Sequence, residues 1–249
     1  MRFWKLDGAG NDFVLVEPSS AAPKALARRL CDRRYGVGAD GLLVVDKKRR
    51  SFRYFNADGS AAFCGNGARC VAVWLSGGKK GELAYEGPSG PLLARVLSKE
   101  RAAVAMPEPV LLDGKLSLTA AGRSFKVQWW ETGVPHAVVP VRDLDSLNLP
   151  KLGRALRFNK AFGKPGANVD FIQKEGRTVR VRTYERGVEA ETLACGTGAM
   201  ASAYAAMRLG WTKFPVRVSP TSGAMLKLYR EVGETWLEGP ARVVFQGEL

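Results

Sequence analysis

Short hydrophobic stretches with strand-like composition recur along the whole chain and predict many β-strands. These stretches are Phe3 to Val16, Gly41 to Val45, Phe52 to Phe55, Leu92 to Val96, Ala102 to Ala105, Val127 to Trp130, Ala137 to Val141, Val179 to Thr183, Val216 to Val218, Met225 to Tyr229 and Ala241 to Phe245. Four helices are predicted over Ala21 to Cys31 (after Ser19-Ser20, which can cap it), Ala68 to Leu75, Leu144 to Leu156 and Gly198 to Leu209. Many short strands with few helices predict an α+β fold with strongly curved sheets.

One five-residue pattern, Cys-Gly-x-Gly-Ala, occurs twice, and each copy opens a predicted helix. The first copy begins at Cys64 and the second at Cys195, about half the chain apart. A repeat at this spacing predicts a duplication into two similar domains that face each other. Chance is the alternative, because Gly- and Ala-rich helix starts are common. Turn formers between Pro109 and Lys115 favour a boundary there, so the domains are predicted over residues 1–111 and 112–240.

The balance of charged residues is strongly basic. The chain has 38 Lys and Arg residues against 24 Asp and Glu residues, a net charge of +14, which favours a polyanion partner. No zinc-finger or helix-turn-helix signature accompanies this charge, so an enzyme is favoured over a nucleic-acid-binding protein. The apolar runs are far too short to cross a bilayer, and charge interrupts the N-terminal segment at once. We therefore predict a cytoplasmic protein with no membrane partner.

The cysteines are candidates for metal binding, disulfide formation or catalysis. There are four of them, Cys31, Cys64, Cys70 and Cys195, with a single histidine, His136. No Cys-x-x-Cys pair exists, so neither a structural zinc site nor a disulfide framework is expected. The thiols are either buried and inert, which is the usual state of such cysteines, or reactive.

A cysteine at a helix N-terminus lies beside N–H groups without intrahelical partners, near the positive end of the helix dipole. Both features favour the thiolate and lower the pKa from its free value of ~8.5. The same N–H groups can bind a carboxylate. Two such loops suit the inversion of a carbon stereocentre, in which one group removes a proton from one face and another delivers a proton to the opposite face. The alternative is two packed helices with unreactive cysteines.

Several longer motifs carry a resemblance to a known family. The segment Asn56-Ala57-Asp58-Gly59-Ser60, followed by the first cysteine loop through Cys70, resembles the first signature of the diaminopimelate epimerases. The segment Glu185-Arg186-Gly187, followed by Glu191 to Ala199, resembles the second. The opening Lys5 to Phe13 is similar to the family's N-terminus, and Pro135-His136 and Asn168-Val169 follow in the expected order. The resemblance therefore spans most of the chain.

This resemblance implies two pseudo-symmetric halves, each a β-barrel-like sheet around a central helix. The active site would lie in the interdomain cleft, and residues 241–249 would return to the first half. It implies interconversion of LL- and meso-diaminopimelate, in lysine and peptidoglycan precursor biosynthesis, by a homodimer without pyridoxal phosphate or metal. Cys64 and Cys195 are then the acid/base pair. The other implied site residues are Gly65, Asn66, Gly196 and Thr197 as backbone donors to the reacting carboxylate, Asn11, Asn56, Asn168, Glu185 and Arg186 as substrate-binding residues, and His136 with Glu185 as groups that orient or tune the thiols.

The chain departs from the family pattern at two places. The family often has Asn before Pro-His, where this chain has Val134, so Thr132 or an adjacent backbone group has to compensate in substrate binding. The segment before the second cysteine loop is one residue longer than the commoner spacing, so neither Glu189 nor Glu191 is given a role.

Structural interpretations stay open for several of these residues. Asn11 and Asn56 are also typical turn formers, Arg186 could join a surface ion pair, and His136 could be a core histidine. Cys31 and Cys70 are interpreted as structural.

Three other functions stay open as well. The chain could be a proline or histidine racemase of the same superfamily, although Arg186 and the asparagines favour a substrate that is polar at both ends. It could be a basic nucleic-acid-binding protein. It could also be a thiol-redox protein with a Cys64–Cys195 disulfide.

Overall fold

The computed structural model describes residues 1–249. Its helices are α1 (Pro23–Leu30), α2 (Gly65–Ser76), α3 (Leu149–Arg157) and α4 (Gly196–Arg208), with one 3₁₀ turn at Lys160–Phe162. Its strands are β1 (Arg2–Gly8), β2 (Asn11–Val16), β3 (Gly41–Asp46), β4 (Ser51–Asn56), β5 (Ala61–Ala62), β6 (Gly81–Gly87), β7 (Gly90–Ser98), β8 (Arg101–Met106), β9 (Val110–Ala120), β10 (Arg123–Glu131), β11 (Pro135–Pro140), β12 (Asn168–Glu175), β13 (Thr178–Glu185), β14 (Ala190–Thr192), β15 (Val216–Ser219), β16 (Leu226–Glu231), β17 (Glu234–Pro240) and β18 (Arg242–Glu248). The predicted α+β class is confirmed. None of the helices is both long and apolar enough to cross a membrane.

The chain divides into two compact units, and the first combines Met1–Met106 with Glu238–Leu249. In this unit β18 pairs antiparallel with β1, β1 pairs with β2, and β2 runs parallel to β3. Strands β6, β7 and β8 form an antiparallel meander. Helix α2 contacts strands from both groups, and every residue from Gly65 to Val73 is buried. The unit is therefore a sheet structure around one central, apolar helix.

The second unit, Pro107–Leu237, repeats this plan. Strands β9, β10 and β11 are antiparallel neighbours, β11 runs parallel to β12, and β12 pairs antiparallel with β13. Helix α4 packs on strands β10 to β13 and on β15 and β16, with small residues that allow close approach. The amphipathic helix α3 covers β9, β12, β13 and β14 through its leucines.

Some elements differ from the expectations. The first hydrophobic stretch is two strands rather than one, because Ala9 and Gly10 adopt positive φ angles of 63° and 90° and reverse the chain. The predicted serine cap of α1 is wrong, since this helix begins at Pro23 after Ala22 and no side chain caps it. Proline at a first helical position needs no N–H partner, and its fixed φ suits the helix, so a cap is dispensable there.

Candidate active site

The two Cys-Gly-x-Gly loops have the same local geometry. Cys64 is the N-cap of α2 with φ −138° and ψ 113°, and Cys195 is the N-cap of α4 with φ −121° and ψ 116°. Each sulfur accepts a hydrogen bond from the amide three residues ahead, Gly67 N at 3.5 Å and Gly198 N at 3.4 Å. Both cysteines are half-buried. A thiol replaces the usual Ser or Asp oxygen as the helix cap in both units.

In the first unit, two asparagines lie beside Cys64. Asn11, the first residue of β2, has its Oδ1 3.4 Å from Cys64 Sγ and 3.4 Å from Asn66 Nδ2. Asn66 lies in the first turn of α2 and is almost fully buried. The structure therefore brings Asn11 beside Cys64 and Asn66, which follow it by 53 and 55 residues in the sequence.

Asn56, at the end of β4, is held by its neighbours along the chain. Its Nδ2 donates to Ser60 Oγ at 2.9 Å, and its Oδ1 accepts from Tyr54 OH at 2.9 Å. Asp58 in turn accepts from the backbone and hydroxyl of Ser60. Both ends of the Asn56 amide are thus engaged in a turn structure, as the structural interpretation of this residue expects.

In the second unit, a chain of polar side chains leads to Cys195. Asp170 Oδ2 lies 2.6 Å from His136 Nδ1, His136 Nε2 lies 3.0 Å from Thr197 Oγ1, and Thr197 Oγ1 lies 3.3 Å from Cys195 Sγ. The other oxygen of this carboxylate, Asp170 Oδ1, accepts a hydrogen bond from Thr183 Oγ1 at 2.7 Å. Asp170 and His136 have no solvent exposure. This arrangement links a buried carboxylate to the thiol through an imidazole and a hydroxyl.

Asn168, Glu185 and Arg186 meet at the ends of two paired strands. Asn168 begins β12 next to His136 of β11, and Glu185 ends β13. The Asn168 amide donates to Pro135 O at 3.2 Å and accepts from Arg186 N at 2.8 Å. Arg186 is half-buried, and its backbone N–H is the group that takes part in this set of hydrogen bonds.

The environment of Cys195 overturns the expected direction of its pKa. Burial raises the pKa of this thiol well above its usual value, and the nearby carboxylates of Glu185 and Asp170 raise it further. The hydrogen bonds from Thr197 and Gly198 N act in the opposite direction but are weaker. The prediction of a lowered pKa counted the helix terminus alone, and in this unit desolvation and two carboxylates outweigh it.

The remaining residues singled out in the sequence lie outside this arrangement. Cys31 and Cys70 are buried, and burial raises the pKa of each thiol to about 12. Glu189 pairs with Arg157 at 3.1 Å, and Glu191 makes two bonds to Arg182 at 2.8 and 2.7 Å. Both glutamates are therefore engaged in ion pairs.

The turn at Val134 is closed by its own neighbour. Thr132 donates to Val134 O both from its backbone N, at 3.1 Å, and from its hydroxyl, at 3.3 Å. Thr132 is buried. Its hydroxyl is thus engaged in the turn.

Three residues of these networks were missed from the sequence: Asp170, Asp40 and Arg69. Asp40 accepts from Asn11 Nδ2 at 2.7 Å, and Arg69 donates to Asn66 Oδ1 at 2.7 Å. The usable signal for Asp170 was a lone carboxylate inside the hydrophobic strand Val169 to Ile172. No group of three or more His, Cys, Asp or Glu side chains is arranged to hold a metal ion.

Solved structures of similar fold include a probable proline racemase and a hydroxyproline epimerase. A probable proline racemase from Agrobacterium radiobacter K84 superposes with a TM-score of 0.76 at 15% identity, over 100% of this chain and 92% of the other. A hydroxyproline epimerase from Agrobacterium vitis gives 0.75 at 16% identity, over 100% and 90%. At this identity the likeness shows the fold alone.

Closer relatives share the sequence itself. The family profile described as diaminopimelate epimerase matches residues 3–112 and 129–244. The diaminopimelate epimerase of Aquifex aeolicus is 38% identical over 272 residues, covering 100% of this chain and 98% of its own. That of Methanocella arvoryzae is 39% identical over 274 residues, covering 100% and 96%. With a profile match over most of its length and full-length relatives at this identity, the chain belongs to the diaminopimelate epimerase family.

Proposed function

We propose that this chain interconverts LL- and meso-diaminopimelate, a step of lysine and peptidoglycan precursor biosynthesis, with Cys64 and Cys195 as its two acid/base groups. The observation that carries the proposal is the matched placement of these two thiols, each capping the central helix of its unit in the same geometry. A cofactor-independent inversion needs two such groups, one for each face of the carbon.

In the proposed reaction, one cysteine as thiolate removes the α-proton and becomes a thiol, and the other cysteine as thiol delivers its proton and becomes a thiolate. The raised pKa of Cys195 supports this residue as the proton donor in the free enzyme, which leaves the first proton to Cys64. The carbanion would be stabilised by N–H groups of the first helical turns, from Gly65, Asn66, Gly196 and Thr197, directed at the substrate carboxylate.

The second end of the substrate needs its own recognition, because diaminopimelate carries an ammonium and a carboxylate at each end. The half-buried guanidinium of Arg186, which can bind a carboxylate through two parallel hydrogen bonds, is our candidate for the distal carboxylate. Asn168, which fixes the backbone of Arg186, and Glu185 are the candidates beside it. This assignment favours diaminopimelate over proline or histidine, which lack a second amino-acid end.

The test is incubation with LL-diaminopimelate in D₂O without added cofactor, followed by chiral analysis and measurement of deuterium at the α-carbon. We expect meso product carrying deuterium at the inverted carbon, and loss of epimerisation in Cys64→Ala and in Cys195→Ala. Cys31→Ser is the matched control and should keep most of the activity. Faster exchange of proline or histidine than of diaminopimelate would favour the racemase alternative instead.

We also propose that the chain forms a homodimer through β18. This strand pairs with β1, and Val243, Val244 and Phe245 along it are 40, 52 and 50% exposed. Consecutive exposed apolar residues on one strand are a strong template for pairing with a second copy. Light scattering should give the mass of a dimer for the wild type and of a monomer for Val244→Lys. A monomeric wild type would refute this assignment.

We place the protein in the cytoplasm, because the proposed mechanism requires two reduced thiols and that compartment keeps thiols reduced. None of the four cysteines forms a disulfide in the structure. Cell fractionation with an activity assay would test the placement, and activity confined to a secreted fraction would contradict it.

A further inference from the structure

Arg69 is the most unusual side chain in the first unit, because its guanidinium is fully buried and makes a single hydrogen bond. Nη2 donates to Asn66 Oδ1 at 2.7 Å, while Nε and Nη1 have no hydrogen-bond partner. The side chain has 0% exposure. Burial of a charged group with unsatisfied donors is unfavourable. The burial of Arg69 with only one hydrogen bond, to Asn66, therefore requires an explanation.

The second unit shows that the helix itself does not need this cation. Arg69 stands five residues after Cys64, and the residue five after Cys195 is Met200. Met200 is also fully buried in the matching helix. An apolar side chain of similar length thus fills the same helical position, and packing alone does not account for Arg69.

The bond from Arg69 begins a chain of hydrogen bonds that all run in one direction. Arg69 donates to Asn66 Oδ1, Asn66 Nδ2 donates to Asn11 Oδ1 at 3.4 Å, and Asn11 Nδ2 donates to Asp40 Oδ2 at 2.7 Å. A guanidinium can only donate and an ionised carboxylate can only accept. The two charged ends therefore define which way each amide between them points. As a result, Asn11 Oδ1 faces Cys64 Sγ at 3.4 Å.

An asparagine amide has nearly the same shape in both orientations, so only its partners decide which end it presents. A substrate ammonium group can only donate, and it would be matched by an oxygen and repelled by an NH₂ group. The direction of these hydrogen bonds therefore affects substrate binding, although neither Arg69 nor Asp40 needs to contact the substrate.

We propose that Arg69 and Asp40 are positioning residues, which from opposite ends fix the amide orientations of Asn66 and Asn11 so that Asn11 presents Oδ1, and not Nδ2, to the substrate ammonium beside Cys64. This inference rests on the proposed function for its kinetic consequence. Its structural consequence, two amides held in one orientation, does not depend on that function.

The test compares Arg69→Met and Asp40→Asn with the wild type in three measurements. The KM for diaminopimelate should rise at least about tenfold in each variant, with a smaller change in kcat, because the amides lose a binding orientation. Arg69→Met should unfold at the same or a higher temperature, because an unsatisfied buried charge is removed. Arg69→Lys keeps a charged donor and should recover part of the affinity.

One control variant and one further measurement separate this role from a structural one. Asp40 also pairs with Arg33 at 2.7 Å, and Arg33→Met removes that ion pair together with the Arg33–Asp12 pair, while the Asp40 acceptor for Asn11 stays in place. Arg33→Met should therefore keep the wild-type KM. Side-chain amide NMR without substrate gives the third measurement. The Asn11 and Asn66 NH₂ protons should be protected from exchange in the wild type and lose protection in both test variants.

The possible outcomes are distinct. If the wild type epimerises diaminopimelate but Arg69→Met keeps its KM and its protected amides, the positioning role is wrong. A lower unfolding temperature with unchanged KM would assign Arg69 to structure instead. If Arg69→Met does not fold, the comparison of KM and amide protection between Asp40→Asn and Arg33→Met answers the same question. If the wild type exchanges no α-proton of diaminopimelate, the proposed function fails, and amide protection still tests the orientation.

Discussion

The carboxylate of Asp170 lies 2.6 Å from Nδ1 of His136, and neither side chain is exposed to solvent. The strands that carry them run parallel, with Asp170 two residues beyond Asn168, the partner of His136 across the sheet. Because Asp170 accepts at Nδ1, the imidazole Nε2 is the atom left to face Thr197, 3.0 Å away. The pair thus fixes both the tautomer and the direction of the ring.

Replacement of Asp170 by Asn should lower kcat for diaminopimelate by about 10- to 100-fold, in line with other partners that orient functional histidines. The amide can donate to Nδ1 and so favour the wrong tautomer. Steady-state kinetics on folded protein, verified by circular dichroism, would measure the effect. Thr183→Val removes only the bond that supports Asp170 and should cost less. Equal kcat in Asp170→Asn and the wild type would show that His136 needs no carboxylate.

The glycine three residues after each loop cysteine offers a matched pair of substitutions. A Cβ at Gly198 would lie 2.5 Å from Asp170 Oδ1, whereas a Cβ at Gly67 would meet the end of the Leu43 side chain at 3.2 Å. Gly198→Ala should therefore displace Asp170 and reduce kcat by more than about tenfold. Gly67→Ala should cost much less, since the terminal methyl group of Leu43 has to move by only a few tenths of an ångström. The same kcat in both variants would contradict the prediction that catalysis depends on the exact position of the Asp170 carboxylate.

The raised pKa of Cys195 predicts slow alkylation near neutrality. Burial and the carboxylates of Glu185 and Asp170 disfavour the thiolate, so the reaction of Cys195 with iodoacetamide should keep accelerating above the pH at which an ordinary thiol has levelled off. Glu185→Gln removes one negative charge, lowers this pKa and should speed labelling at pH 8. Peptide mass spectrometry would follow the site. Buried Cys70, whose pKa is raised to about 12, is the internal control that stays unlabelled.

We expect Asp12 to account for part of the loss of folding stability at acid pH. Burial acts to raise the pKa of Asp12, but hydrogen bonds from Arg33 and Lys5 outweigh it and hold this pKa at about 2, against an ordinary value of 3.8. A carboxylate whose pKa is lower in the folded chain stabilises the fold above its unfolded pKa. That contribution, about 2 kcal/mol, is lost as the pH falls from about 5 to 2.

Denaturant titrations at several pH values would check this, with Asp12→Asn expected to flatten the acid limb of the free energy of unfolding. Asp145→Asn is the comparison, because Asp145 forms a similar pair with Arg180 at 2.8 Å but its side chain is 70% exposed. Its effect should be smaller, since solvent screens an exposed pair. An unchanged acid limb in Asp12→Asn would contradict the prediction.

The cysteine loops were predictable because they are local. Their chemistry depends on a cap, two glycines and the helix that follows, all within a few residues of Cys64 and Cys195. The α+β class was predictable for the same reason, since each short hydrophobic stretch carries its own signal. Even so, the predicted starts of α2 and α4 fell short, because Gly65 and Gly196 are weak helix formers that the capping sulfur stabilises.

The networks around the loops were not predictable, because they depend on strands that are distant in the sequence. Asp170 meets His136 only through the parallel pairing of β11 and β12, which are joined across α3. Arg69 is a charged residue that is buried with its neighbours from Gly65 to Val73, and a surface position would have been the natural expectation for it. The direction of the Cys195 pKa likewise depends on the burial of the thiol and on the proximity of Glu185 and Asp170, and no local pattern gives either of these.

The return of β18 to β1 has a consequence for the order of folding. The first unit is made of Met1–Met106 and Glu238–Leu249, so its sheet lacks a strand until the whole of the second unit has been synthesised. At ordinary elongation rates the interval is on the order of ten seconds, which is long compared with the folding time of a small domain. The second unit can therefore fold on the ribosome while β1 still lacks β18. The first unit, although its chain emerges earlier, is the last to be completed.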